Sequence, residues 1–195
     1  MLAAAEALFS ERGYVGTSLA VVAERAEVNP RTVYKLFGSK VALLSRLVDV
    51  AIVGDQEAVP VADRPWAAGA FNAATGRERV RAYAHSIRRV MDSAGPAFRI
   101  AAQAAAADPE ATALWTMGQR LRLADSTALI AALHEAQLLR PDLPHQDAVA
   151  TVWLISSPET FSQLSDGLNW TIDRYERWVY QTLAATLFDE VPPDS

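Results

Sequence analysis

The sequence predicts an all-α chain. Alanine is abundant and runs of β-branched residues of strand type are scarce, a balance that favours helix. Apolar residues recur at three- and four-residue spacing along most of the chain, as on helices that bury one face. Cap-and-proline pairs at Asn29-Pro30 and Asp108-Pro109 mark helix starts. About nine helices are expected.

The first helix carries Leu2, Ala5, Leu8, Phe9 and Arg12 at helical spacing, and Gly13 suits its C-terminal cap. Thr17 or Ser18 can cap a second helix, whose Leu19, Val22, Ala23 and Ala26 share a face. Glu27-Val28 makes a short turn. Asn29 and Pro30 then start a third helix, with Val33 and Phe37 inward and Leu36 flanking them. Gly38-Ser39-Lys40 ends it and caps a fourth, which continues from Val41 to about Asp55.

Residues 58–74, with Pro60, Pro65 and Gly69, read as an irregular connection or a broken short helix. Arg77 to Ser93 is helical and Gly95-Pro96 is expected to stop it, with Ala97 to Ala107 forming a separate helix. Asp108-Pro109-Glu110 opens a long helix reaching about Leu138, and Pro141 and Pro144 bracket the next turn. The division expected is a small N-terminal domain over 1–46, a helical bundle over 47–190 and a disordered tail over 191–195.

The first three helices carry the functional signal. The outward side of the third presents Arg31, Thr32, Tyr34 and Lys35. Arginine can fork onto a guanine edge, threonine can meet a thymine methyl, and lysine and tyrosine can hold phosphates. The N–H groups at the start of the fourth helix form a phosphate seat, reinforced by Lys40. Helix, tight turn and second helix with a polar tip is the helix-turn-helix arrangement. Three short amphipathic helices also occur in bundles with no DNA role, and charge does not decide between the two. Residues 1–50 hold six Lys/Arg and five Asp/Glu, a net of +1, against −5 for the whole chain.

Other chemistries find little support. The chain has no cysteine, which excludes disulfides, thiolate nucleophiles and zinc–thiolate sites. His85, His134 and His145 are isolated from one another in sequence, so no metal or cofactor site is expected. Neither a lysine-bearing phosphate loop nor a Gly-x-Ser-x-Gly elbow is present. No catalytic residue is therefore assigned, and the chain is not expected to be an enzyme. With Glu6 inside an Ala-rich start and no apolar span of membrane length, a soluble cytoplasmic protein without a membrane partner is expected.

The run Ala7-Leu8-Phe9, Gly13-Tyr14, Thr17-Ser18, Ala23, Val28-Asn29, Arg31-Thr32-Val33-Tyr34, Phe37-Gly38-Ser39-Lys40 and Leu43-Leu44 closely resembles the N-terminal domain of the tetracycline-repressor (TetR) family. The resemblance implies a homodimeric, ligand-responsive transcription factor, most often a repressor, on a palindromic operator in double-stranded DNA. It also implies that Arg31, Thr32 and Lys35 face bases, with Thr17, Tyr34 and Lys40 on the DNA backbone. Two departures stand out. Glu27 occupies a position that family members usually give to glycine, where the turn can need a positive φ at a cost of about 1 kcal/mol for other residues. Met1-Leu2 is already helix-like, so the basic arm common in relatives is expected to be missing. These departures motivate an alternative: a helical ligand-binding or adaptor protein with an impaired DNA-binding head.

Two C-terminal stripes carry a second expectation. Val149, Val152, Trp153 and Ser156 share one helical face, and Tyr175, Trp178, Val179, Thr182, Leu183 and Thr186 share another. They suit either an ordinary core or a symmetric four-helix dimer interface. The segment SSPETF…LNWTIDRYERWVYQTL is similar to the dimerising end of an actinobacterial-type branch of the family, which favours the interface. Met91, Phe98, Trp115, Met117 and Trp153 are candidates to line an effector pocket. Each also suits plain core packing. With few charged residues near them in sequence, an apolar or aromatic small molecule is the expected ligand.

Overall fold

The computed structural model describes residues 1–54 and 64–189. Among them are ten helices and no strand: α1 Leu2–Arg12, α2 Leu19–Arg25, α3 Pro30–Phe37, α4 Lys40–Val53, α5 Pro65–Asn72, α6 Gly76–Ala105, α7 Pro109–Glu135, α8 His145–Ile155, α9 Pro158–Leu168 and α10 Ile172–Leu187.

The helix count differs from the expected nine through one fusion and two added helices. The helices expected over 77–93 and 97–107 are one, with Pro96 inside α6. Proline removes one backbone hydrogen bond and crowds the preceding turn at about 3 kcal/mol, yet Ala94, Ala97, Ile100 and Ala101 are all buried. Packing on both sides of the proline outweighs the break. Two further helices appear, α5 within the stretch read as an irregular connection or a broken short helix and α9 after Ser157-Pro158. The Ser157 side chain accepts the Thr160 N–H at 3.0 Å, and Pro158 takes the first helical position. The tail expected to be disordered and residues 58–63 of the expected connection lie outside the described residues.

The chain forms two compact units. The first holds Met1–Gln56 with Ser93–Gln119, the second Glu57–Asp92 with Arg120–Ser195. In the first unit, Leu8 and Phe9 of α1, Val22 of α2, Val33 of α3 and Leu43, Leu44 and Leu47 of α4 are buried in one cluster. That cluster also takes in Ala97, Ile100, Ala101 and Ala104 from α6 and Ala111 from α7. The compact body containing the N-terminal helices is therefore larger than residues 1–46.

In the second unit α10 packs on α8 and α9. Val149, Val152, Tyr175, Val179 and Leu183 are at most 9% exposed within the single chain. With Ser156, 3% exposed, six of the ten stripe residues are thus buried within the protomer itself. Helical spacing alone could not separate a core stripe from an interface stripe. Trp153, Trp178, Thr182 and Thr186 remain half-buried. The outer side of α8 carries Ala150 and Leu154, and that of α10 carries Arg174, Gln181 and Ala185.

Candidate nucleic-acid interface

The third helix is set by its start. Asn29 caps α3, its side-chain oxygen accepting the Arg31 N–H at 2.9 Å, and Pro30 supplies the first helical φ. Val33 is buried, which turns Arg31, Thr32, Tyr34, Lys35 and Leu36 outward, all of them exposed. Among the described residues, the Arg31, Thr32 and Lys35 side chains make no hydrogen bond or ion pair, so their donors are unspent. Arg31 and Lys35 are one turn apart on the same face.

The turn before α3 carries the departure noted in the sequence. Glu27 has φ 53, in the left-handed region. The Val28 N–H nevertheless bonds Ala23 O at 3.0 Å, closing α2 as a glycine-type cap would. The fold tolerates Glu27 here.

Beside α3 lies an open cleft of about 430 Å³, walled by Val15–Leu19 on one side and by Tyr34 and Gly38–Lys40 on the other. Ser18 caps α2 and Ser39 caps α4, accepting the N–H groups of Val21 at 3.3 Å and Ala42 at 3.1 Å. The remaining first-turn N–H groups of α4 have no intrahelical acceptor and carry the positive end of a 14-residue helix. Gly38 turns the chain between α3 and α4 with φ 73. A Cβ at Gly16 would collide with the carbonyl of Arg12, so this wall has room only for glycine.

Two residues assigned to the DNA backbone sit differently from the others. Thr17 is buried, and its hydroxyl donates inward to Leu8 O at 3.2 Å and Gly13 O at 2.9 Å. Its hydroxyl is engaged inside the turn, so Thr17 borders the cleft without offering it a donor. Lys40 does line the cleft, but its ammonium donates to Tyr14 O at 2.8 Å and lies 4.1 Å from the centre of the Tyr14 ring. Tyr34, 51% exposed, stays available on the opposite wall.

The effector candidates fall in both units. Phe98, Trp115 and Met117 belong to the first, where Trp115 packs on the core cluster and Met117 is 54% exposed. Met91, buried, and Trp153 belong to the second. None of the five lines the α3 cleft or the apolar cleft beside Leu2, Phe37 and Ala42.

The expectation of few charged neighbours is corrected at Trp153. Arg122, distant in sequence, donates to Trp153 O at 2.6 Å, and its guanidinium lies 5.6 Å from the indole centre. Desolvation lowers the Arg122 pKa, with Glu159 opposing. Tyr83 donates to Ser156 Oγ at 3.0 Å, and burial pushes its phenol up. The Trp153 indole N–H is buried without a partner. Nothing in the spacing of residues 83, 122, 153 and 156 foreshadows this polar cluster.

The described residues are helical throughout, with a helix-turn-helix at the N-terminal end. Residues 1–47 match the bacterial regulatory proteins of the tetR family. The HTH-type transcriptional repressor BdcR of Escherichia coli (strain K12) is 37% identical over 62 residues, which span 32% of this chain and 30% of that protein. A TetR-family regulator candidate from Rhodococcus sp. superimposes with TM-score 0.70 at 14% identity, covering 95% of each chain. The TetR-family regulator PfmR from Thermus thermophilus gives 0.61 at 20% identity, over 95% of this chain and 96% of its own. The ketosteroid transcriptional regulator KstR2 of Mycobacterium tuberculosis gives 0.62 at 17% identity, over 96% of this chain and 93% of its own. Residues 1–47 are thus similar to the N-terminal domain of that family, and the fold over nearly the full length is the one these solved structures share. Among the described residues no helix is long and apolar enough to cross a membrane.

Proposed function

We propose that the chain is a cytoplasmic transcriptional repressor that binds a palindromic operator as a homodimer. The observation that carries this reading is the outer face of α3, where the exposed Arg31, Thr32 and Lys35 side chains make no hydrogen bond or ion pair among the described residues. Arg31, Thr32 and Lys35 read base edges. Tyr34, Lys40 and the first-turn amides of α4 hold phosphates. A dimer supplies the second α3 that a half-site about 34 Å away requires, through the outer sides of α8 and α10. That Glu27 takes its positive φ with the α2–α3 turn closed supports a working head over the impaired-head alternative.

A small effector taken up by the helical bundle releases the operator. Within the second unit the large apolar side chains of Met91 and Trp153 favour an effector with an apolar or aromatic body. The Arg122–Tyr83 cluster beside Trp153 offers polar contacts to such a molecule.

The test is a gel shift on the duplex upstream of the chain's own gene, with an unrelated duplex of equal length as competitor. A salt-sensitive shift that only the upstream duplex competes away is expected. Equal competition by both duplexes, or no shift at low salt, sinks the repressor reading.

A further inference from the structure

We infer that Asp108, the residue that caps α7, is a positioning residue for the phosphate-facing cleft of the head, acting through Tyr14 on Lys40. The inference rests on the DNA-binding reading of that cleft, but the contacts that carry it are independent of DNA.

The two oxygens of the Asp108 carboxylate are divided between two tasks. Oδ1 accepts the Glu110 N–H at 2.9 Å and starts α7. Oδ2 accepts the Tyr14 hydroxyl at 2.9 Å, across 94 positions of sequence. Tyr14 is 3% exposed and stands in the turn between α1 and α2, directly before the cleft wall that begins at Val15. Its carbonyl takes a hydrogen bond from Lys40 Nζ at 2.8 Å, and its ring lies 4.1 Å from the same ammonium. The ring also packs on Phe9 at 5.7 Å between centroids.

One side chain therefore touches α7 with its tip and the opposite cleft wall with its face. A buried phenol without an acceptor bears the full cost of desolvating its hydroxyl, so the Asp108 carboxylate selects where the tip points. The tip fixes the ring plane, and the ring plane fixes where the Lys40 ammonium rests. Lys40 keeps donors beyond the one given to Tyr14 O, and these face the cleft. The Asp108 carboxyl lies below the ordinary carboxylate range, through the Tyr14 hydroxyl first, with the Lys40 charge a smaller contribution. The three groups thus sense one another. Displacing the start of α7 removes the acceptor, frees the ring and releases Lys40 from its seat. This gives a helix outside the head a direct hold on a residue of the head's phosphate grip.

The chain has two lysines, Lys35 and Lys40, which makes the test simple. The intact protein is briefly acetylated with a water-soluble active ester, and the Lys40-to-Lys35 labelling ratio is read by peptide mass spectrometry. Lys35, exposed on α3, is the internal reference. Asp108→Ser keeps a capping oxygen but is too short to reach Tyr14. Tyr14→Phe keeps the ring and loses only the hydroxyl. Each is expected to raise the ratio at least threefold, and the double variant should gain no further. Far-UV circular dichroism shows whether each variant keeps its helices, and Asp108→Thr, also a short capping residue, replaces Asp108→Ser if that variant does not fold. An unchanged ratio in the Asp108 variant, or separate additive gains from the two sites, would overturn the inference.

A second measurement ties the labelling to phosphate grip. On a random-sequence duplex at low salt, both variants should bind severalfold more weakly than the parent. Parental affinity in variants with a raised ratio would also overturn it. If no duplex binds even the parent chain, the DNA reading fails, and the labelling ratio alone still decides whether Asp108 positions Lys40.

Discussion

Thr17 and Leu8 are joined by a hydrogen bond of 3.2 Å from the threonine hydroxyl to the leucine carbonyl, inside the turn that begins the cleft wall. A second bond runs to Gly13 O at 2.9 Å. Removing the hydroxyl while keeping the shape leaves two inward carbonyls short of a donor. Thr17→Val is therefore expected to destabilise the chain by about 1–2 kcal/mol in urea unfolding. Parental stability accompanied by lost DNA binding would instead place Thr17 on the DNA backbone.

Glu27 gives a prediction of opposite sign. At φ 53 a side chain with a Cβ is strained. Glycine relieves that strain but adds freedom to the unfolded chain. Glu27→Gly is expected to raise stability by about 0.5–1 kcal/mol, read as a higher urea midpoint at unchanged slope. A lower midpoint would mean that the turn draws more from the glutamate side chain than the backbone loses.

The head was legible in the sequence because its signals are local. Asn29-Pro30, Gly38 and Ser39 each act within four residues, and all four do in the structure what their chemistry allows. The same kind of signal stood at Ser157-Pro158 and there marks the start of α9. Pro96 misled because a break signal is also local, whereas the packing of Ala94, Ala97 and Ile100 that overrides it is not. The inward turn of Lys40 depends on Tyr14, 26 positions away, and Tyr14 in turn on Asp108, 94 positions away. No periodicity encodes either distance. The α8 and α10 stripes were ambiguous for a related reason: a helix repeats its apolar face alike for a core and for a partner.

The dimer test follows from that distinction. Val179 and Leu183 are fully buried in one chain, so substituting them unfolds the protomer and says nothing of a partner. Leu154 is 59% exposed on the outer side of α8. Leu154→Arg leaves the protomer core intact and sets two like charges facing each other across a two-fold interface. A shift toward the monomer mass in light scattering is expected. An unchanged dimer would move the interface away from α8.

Arg31 separates base reading from phosphate grip. Its side chain is exposed and, among the described residues, makes no hydrogen bond or ion pair, so Arg31→Ala costs the fold little. A loss of about 1–3 kcal/mol in operator binding is expected, concentrated at one base position of each half-site. Competition with single-substituted operators reads that position. A uniform loss across all sequences would mark Arg31 as a phosphate contact.

Asp108 adds a pH signature to its role in positioning the cleft. The Tyr14 hydroxyl, the largest cause, holds the carboxyl below the ordinary carboxylate range in the folded chain. The unfolded value is about 3.9, so between the two values the folded state binds fewer protons than the unfolded one. Stability then rises with pH across that window. The contribution is whole above about pH 5 and is lost as pH falls through the depressed value. Tyr14→Phe removes the main cause of the depression and leaves Glu11, Glu78 and Asp142, whose carboxyls are also lowered, as they were. The urea midpoints of parent and variant should therefore lie furthest apart above pH 5 and draw together toward pH 3. A gap that stays constant over that range would mean that the Tyr14 hydroxyl contributes equally to a neutral Asp108, and that its partner there is not the carboxylate.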